Sequence, residues 1–141
     1  MTKCSAVMTP NPVCCEVLDT VEKAAQMMQT ENVGSVPVVE TRENKKLRGI
    51  VTDRDLALKI IAEQRDPANT TIEEVMTLNP VTCRPEDDLE HAMKLMSDHQ
   101  VRRIPVVNEK NEIIGIIAQA DVALRATDQK TGDVVEDISK P

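Results

Sequence analysis

The chain is written twice. Val7-Met8-Thr9-Pro10-Asn11-Pro12-Val13 returns 68 positions later as Val75-Met76-Thr77-Leu78-Asn79-Pro80-Val81, and Val36-Pro37-Val38-Val39 returns at the same offset as Ile104-Pro105-Val106-Val107. About 15 of the 33 ungapped pairs between positions 7–39 and 75–107 are identical, well beyond chance. Gly49-Ile50-Val51 returns at an offset of 66 as Gly115-Ile116-Ile117, so the loop before it is two residues shorter in the second copy. A unit of about 60 residues leaves an apolar face uncovered, and two copies can bury those faces against each other.

Each copy reads as β-α-β-β-α, which gives an α+β fold class built from two tandem units with pseudo-two-fold symmetry. Asp19 or Thr20 caps a helix running to about Thr30, with Val21, Ala24, Ala25 and Met28 on one face. Its counterpart runs from Asp87 or Asp88 to about His99, with Leu89, Ala92, Met93 and Met96 inward. The strands are Val36–Val39 and Leu47–Val51, then Ile104–Val107 and Ile113–Ile117, each pair joined by a polar turn. A second helix starts at Asp53 (Leu56, Ala57, Ile60 and Ile61 inward) and again at Gln119. The expected boundaries are 1–66 for the first domain, 67–126 for the second and 127–141 for a loose polar tail, with 63–71 as linker. Clefts at the seam between such units are where ligands usually sit.

Composition removes several function classes. The net charge is −7, from 17 basic and 24 acidic residues, and the chain has no Phe, Tyr or Trp. It therefore lacks both the basic stripe and the stacking platforms of a nucleic-acid binder. No apolar run approaches the ~18 residues that span a bilayer, and no signal-peptide core is present, which sets the cytoplasm as the expected location. Any bound base must be covered by aliphatic and Met side chains. Met27, Met28, Met93 and Met96 stand at helical spacing, as core first and as dimer seam second. The adjacent Cys14 and Cys15 face opposite ways if extended, so with Cys4 and Cys83 they read as buried free thiols of a reducing compartment, a redox or metal role standing as the alternative. His91 and His99, about 12 Å apart on one helix, cannot share a metal unaided. Neither a phosphate-binding glycine loop nor a nucleophile with base and oxyanion hole is apparent, so no catalytic or metal site is expected.

The tandem Met-Thr-x-x-Pro openings, the two h-Pro-Val-Val strands and Gly49-Ile50-Val51-Thr52-Asp53-Arg54-Asp55 together resemble a pair of cystathionine-beta-synthase-type (CBS) domains, a Bateman module, over roughly residues 5–126. The resemblance implies a regulatory module that binds an adenosine-containing ligand such as AMP, ADP, ATP, S-adenosylmethionine or NAD, usually as a homodimer, here signalling in trans to an unidentified protein. Its signature, Gly-h-h-Thr/Ser-x-x-Asp, places Thr52 before the second helix and Asp55 in the first turn. There Asp55 can accept from a ribose diol and Thr52 can donate to a phosphate, with Arg54 beside them. The plain alternative is an N-cap and a helix-dipole partner. The second copy keeps Asp121 but has Ala118 at the hydroxyl position, so unequal sites are expected, with the Thr52/Asp55 cleft the stronger. Arg102-Arg103, where the first copy has Gly34-Ser35, make a candidate phosphate clamp or a solvated charge pair. Pseudo-symmetry can bring that pair toward Thr52, Arg54 and Asp55. Backbone groups near Val13, Val36-Pro37, Val81 and Ile104-Pro105 are the expected readers of the adenine edge. The rival function is a ligand-free homodimerisation or docking scaffold with vestigial pockets, and a thiol or metal sensor through Cys14, Cys15 and Cys83 is a third.

Overall fold

Thr20 stops an extended stretch and starts a helix, because its side chain accepts from the Lys23 N–H at 3.2 Å. From such local signals the computed structural model builds residues 1–129, with side chains described to Leu124. The elements in chain order are α1 (Cys4–Val7), β1 (Thr9–Pro10), β2 (Cys15–Glu16), α2 (Val21–Glu31), β3 (Ser35–Val39), β4 (Leu47–Thr52), α3 (Asp53–Leu56), β5 (Thr77–Leu78), α4 (Leu89–Asp98), β6 (Arg103–Val107), β7 (Ile113–Ala118) and α5 (Gln119–Gln129). The expected helices and strands of both copies are present within a residue or two. α5 carries the helix through Gln129, three residues into the expected tail, and the rest of that tail lies outside the described residues.

Two compact units result, and each is closed by the other copy's opening. The central unit is Val13–Pro80, and the terminal unit joins Met1–Pro12 to the chain from Val81 onward. In the central unit the sheet order is β2-β3-β4-β5, with β2 parallel to β3 and the other pairs antiparallel. In the terminal unit the order is β1-β7-β6, all antiparallel, and Cys83 makes an isolated parallel bridge to Val106 beyond β6. Thus β5, from the opening of the second copy, pairs with β4, while β1, from the opening of the first, pairs with β7. The repeat boundaries read from the sequence and the boundaries of the compact units therefore differ. Contact, not sequence order, sets the latter.

Matching backbone geometry marks the duplication at the level of single residues. Asn11 and Asn79 have φ of 52° and 53°, Asn32 and Gln100 have 55° and 53°, and Lys45 and Asn111 have 58° and 61°. Asn tolerates this left-handed region better than most residues. Asn11-Pro12 and Asn79-Pro80 end at the two places where the chain passes from one unit to the other.

Each unit has its own apolar core. In the central unit Val21, Ala24 and Met28 of α2 pack with Val36, Val38, Val51, Ile60, Ile72 and Val75. In the terminal unit Leu89, Ala92, Met93 and Met96 of α4 pack with Ile104, Val106, Ile117 and Val122. Ala25 is exposed, so the inward face of α2 is narrower than the sequence pattern suggests. After α3 the helix widens into a π turn over Ala57–Ile61, with the Ala62 N–H bonded to the Ala57 carbonyl at 3.0 Å. That widening shifts the helical phase. Leu56 and Ile60 stay inward as expected, but Ala57 is exposed and Ile61 is 75% exposed.

Gly49 and Gly115 mark the closure of each sheet. A Cβ at Gly49 would lie 2.6 Å from the Thr77 carbonyl oxygen and 2.9 Å from Met76 Sδ. At Gly115 it would meet Met8 Sδ at 2.5 Å and Cγ at 2.8 Å, both in a flexible side chain. Gly49→Ala is therefore expected to lower stability by about 1–3 kcal/mol, because backbone must move. Gly115→Ala is expected to cost less, since Met8 can turn aside. Urea unfolding midpoints of the two variants test the order.

Candidate functional site

The strand-to-helix corner at Thr52 is fixed by a reciprocal pair of bonds. The Asp55 N–H donates to Thr52 Oγ1 and the Thr52 N–H donates to Asp55 Oδ2, each at 3.0 Å, a capping box at the start of α3. The Asp53 N–H is held by the Gly34 carbonyl at 2.9 Å, which ties the corner to the start of β3. Asp55 is 7% exposed, and its charge is met from two further directions. The Thr77 hydroxyl of β5 lies 3.2 and 3.1 Å from Oδ1 and Oδ2, and Lys59 Nζ lies 3.1 Å from Oδ1 and 2.8 Å from the Val75 carbonyl. An ionised carboxylate has about four acceptor positions. The fold itself uses most of them.

The second copy repeats half of this arrangement. The Ala118 N–H donates to Asp121 Oδ2 at 2.9 Å, but Ala118 has no hydroxyl to return the bond. The Gln119 N–H is held by the Arg102 carbonyl at 2.9 Å, the counterpart of the Asp53–Gly34 bond, and Arg103 pairs in register with Ala118. Arg102 is exposed, and Asp121 is half-buried. Within the terminal unit, then, the arginine pair stands beside the helix start that lacks the hydroxyl.

The sequence-predicted residues divide between the units. Thr52, Arg54, Asp55, Val13, Val36 and Pro37 belong to the central unit, and Ala118, Asp121, Arg102, Arg103, Val81, Ile104 and Pro105 to the terminal one. Val36 is 2% exposed and Ile104 is fully buried, each within its own unit's apolar cluster. Pro37 and Pro105 are buried as well, because β3 and β6 are covered along all but their first residue. Val13 is 46% exposed and Val81 half-buried, which leaves these two as the available apolar surfaces. Sequence reasoning missed Thr77 and Lys59. Lys59 was legible as an i,i+4 partner of Asp55 on one helix. Thr77 was not, because only the exchanged strand brings it to α3.

A family model described as "CBS domain" matches residues 4–62 and 72–127. The chain is 40% identical to protein YlbB of Bacillus subtilis over 141 residues, covering 99% of this chain and 93% of that protein. Among solved structures, CBSX2 of Arabidopsis thaliana in complex with AMP is 27% identical, with a TM-score of 0.78 over 92% of this chain and 99% of that one. The CBS domain pair of protein MJ0100, in complex with 5′-methylthioadenosine and S-adenosyl-L-methionine, is 27% identical, with a TM-score of 0.76 over 93% and 99%. With its doubled motif, its two units and a family match to each copy, this chain belongs to the CBS domain family as a tandem pair.

Proposed function

We propose that the chain is a regulatory module that binds an adenosine-containing ligand and acts in trans on another protein, as a homodimer. The observation that carries this reading is a carboxylate set at the same place in both copies. Asp55 and Asp121 each sit in the first turn after a strand and are bonded to the preceding backbone N–H. Such a group is positioned to accept from a ribose diol, and charged acceptors make the stronger hydrogen bonds. CBSX2 with AMP, and the MJ0100 pair with its two adenosine-containing ligands, support the ligand class. The two places differ in how they would meet a phosphate. The central unit offers the Thr52 hydroxyl, and the terminal unit offers Arg102 in place of a hydroxyl.

The scaffold reading draws on one observation of its own. Asp55 is already engaged by Thr52, Thr77 and Lys59, so it has a structural duty with or without a ligand. Melting the full chain with AMP, ATP, NAD and S-adenosylmethionine separates the two readings, because a ligand at 100 times its Kd adds about 2.7 kcal/mol of stability. A rise with at least one of the four is expected, and no rise with any of them leaves the scaffold.

Thr52→Ala is expected to destabilise the unliganded chain by about 1 kcal/mol through loss of the cap. Thr52→Ser keeps both cap and hydroxyl and is expected to bind as the parent does. Arg102→Ala is expected to weaken AMP and ATP more than adenosine in calorimetric titration, and equal losses would remove the phosphate role.

A further inference from the structure

Two buried thiols outside the ligand site share one apolar cluster. Cys4, the first residue of α1, is fully buried, and Cys83, beside β6, is 2% exposed in the same apolar cluster. The Cys4 thiol reaches the Asp88 carbonyl at 3.8 Å, and the next residue, Ser5, donates its N–H at 3.0 Å to the Pro85 carbonyl, two residues past Cys83. Neither residue is carried on a loose loop. The Cys4 N–H donates to the Asp87 carbonyl at 2.9 Å. The Cys83 N–H donates to the Pro105 carbonyl at 3.0 Å, and its carbonyl accepts from the Val107 N–H at 2.9 Å.

We propose that Cys4 and Cys83 are a modification site, closing into a reversible disulfide when the protein meets hydrogen peroxide. The Cys4 thiolate attacks one peroxide oxygen and breaks the O–O bond, leaving a sulfenic acid, while the departing hydroxide takes the proton released by Cys4. The Cys83 sulfur then attacks the sulfenic sulfur. An S–S bond of about 2.05 Å forms, the S–O bond breaks, and the hydroxyl leaves as water with the Cys83 proton. Two thiols are oxidised and one peroxide is reduced to two waters.

The two cysteines are suited to different steps. Cys83 holds the Cys4 thiol below its usual range, against burial and the Asp87 and Asp88 carboxylates. Cys83 is in turn held above it by Cys4 and by burial. The thiolate is the reactive form, so Cys4, on the short exposed turn, is oxidised first and Cys83 resolves. Access comes through α1, a single turn near the start of the described chain with Ser5 and Ala6 exposed, which can open without unfolding the unit. Cys15 provides an internal contrast. It is equally buried, its sulfur contacts Met27 Sδ at 3.7 Å, and burial pushes its thiol up to about 11.

The test treats the fully reduced full-length chain with hydrogen peroxide, digests it without reductant and maps the linked peptides by mass spectrometry. A Cys4–Cys83 peptide, lighter by two hydrogens and restored by dithiothreitol, is expected, with a reversible rise in melting temperature because the ring encloses the whole central unit. In Cys83→Ser, a dimedone adduct on Cys4 is expected in place of the linkage. The proposal is overturned if the native chain keeps all four thiols while the urea-unfolded chain oxidises. It is equally overturned if the main linkage uses Cys14 or Cys15, or if Cys4 passes directly to sulfinic acid in the parent protein.

Discussion

Each sheet is completed by two residues borrowed from the other copy's opening. β5 lies along β4 through Leu78 and Thr77, and β1 lies along β7 through Thr9 and Pro10. The contacts are short, but they bring a methionine against a glycine in the middle of each sheet, Met76 on Gly49 and Met8 on Gly115. They also deliver the Thr77 hydroxyl to Asp55. Through Met76 and Met8 the borrowed segments also join the two apolar cores.

The same arrangement explains what was legible and what was not. Hydrophobic spacing located α2, α4 and the four long strands, since those signals are local: one buried face on each helix and near-continuous apolar runs in β3 and β6. The caps at Thr20 and Thr52 were legible for the same reason, while Asp88 holds the cap position of α4 with its side chain turned to Lys3. The exchange of openings was hidden. A repeat read from sequence assigns Met8 and Met76 to their own copies, and nothing within a few residues of either says which sheet will take it. The π turn was hidden too, because Ile61 has the right spacing for a regular helix and only the extra residue per turn moves it outward.

At the site, residue types were readable but their state was not. Thr52 and Asp55 stand where the motif implied, and their mutual bonds show how tightly a fold can hold the groups that a ligand would use. In the second copy, Ala118 removes one half of the capping box, while the remaining bond to Asp121 keeps the carboxylate in place. The difference between the units therefore lies less in where the acids sit than in what surrounds them. Lys59 and Thr77 press on Asp55, and Arg102 stands next to the helix that Asp121 begins.

The reciprocal loan of strands has a consequence for how such a chain can be shortened. A cut that discarded everything after residue 66 would strip β5 from β4, and one that discarded the first dozen residues would strip β1 from β7. Either truncation leaves a bare row of amides and carbonyls on the middle strand of a sheet, the kind of edge that invites another chain to pair with it. The continuous stretch from Val13 to Pro80 keeps its whole sheet. The fragment most suited to independent life is thus neither of the two copies as written, but a piece that begins inside the first and ends inside the second.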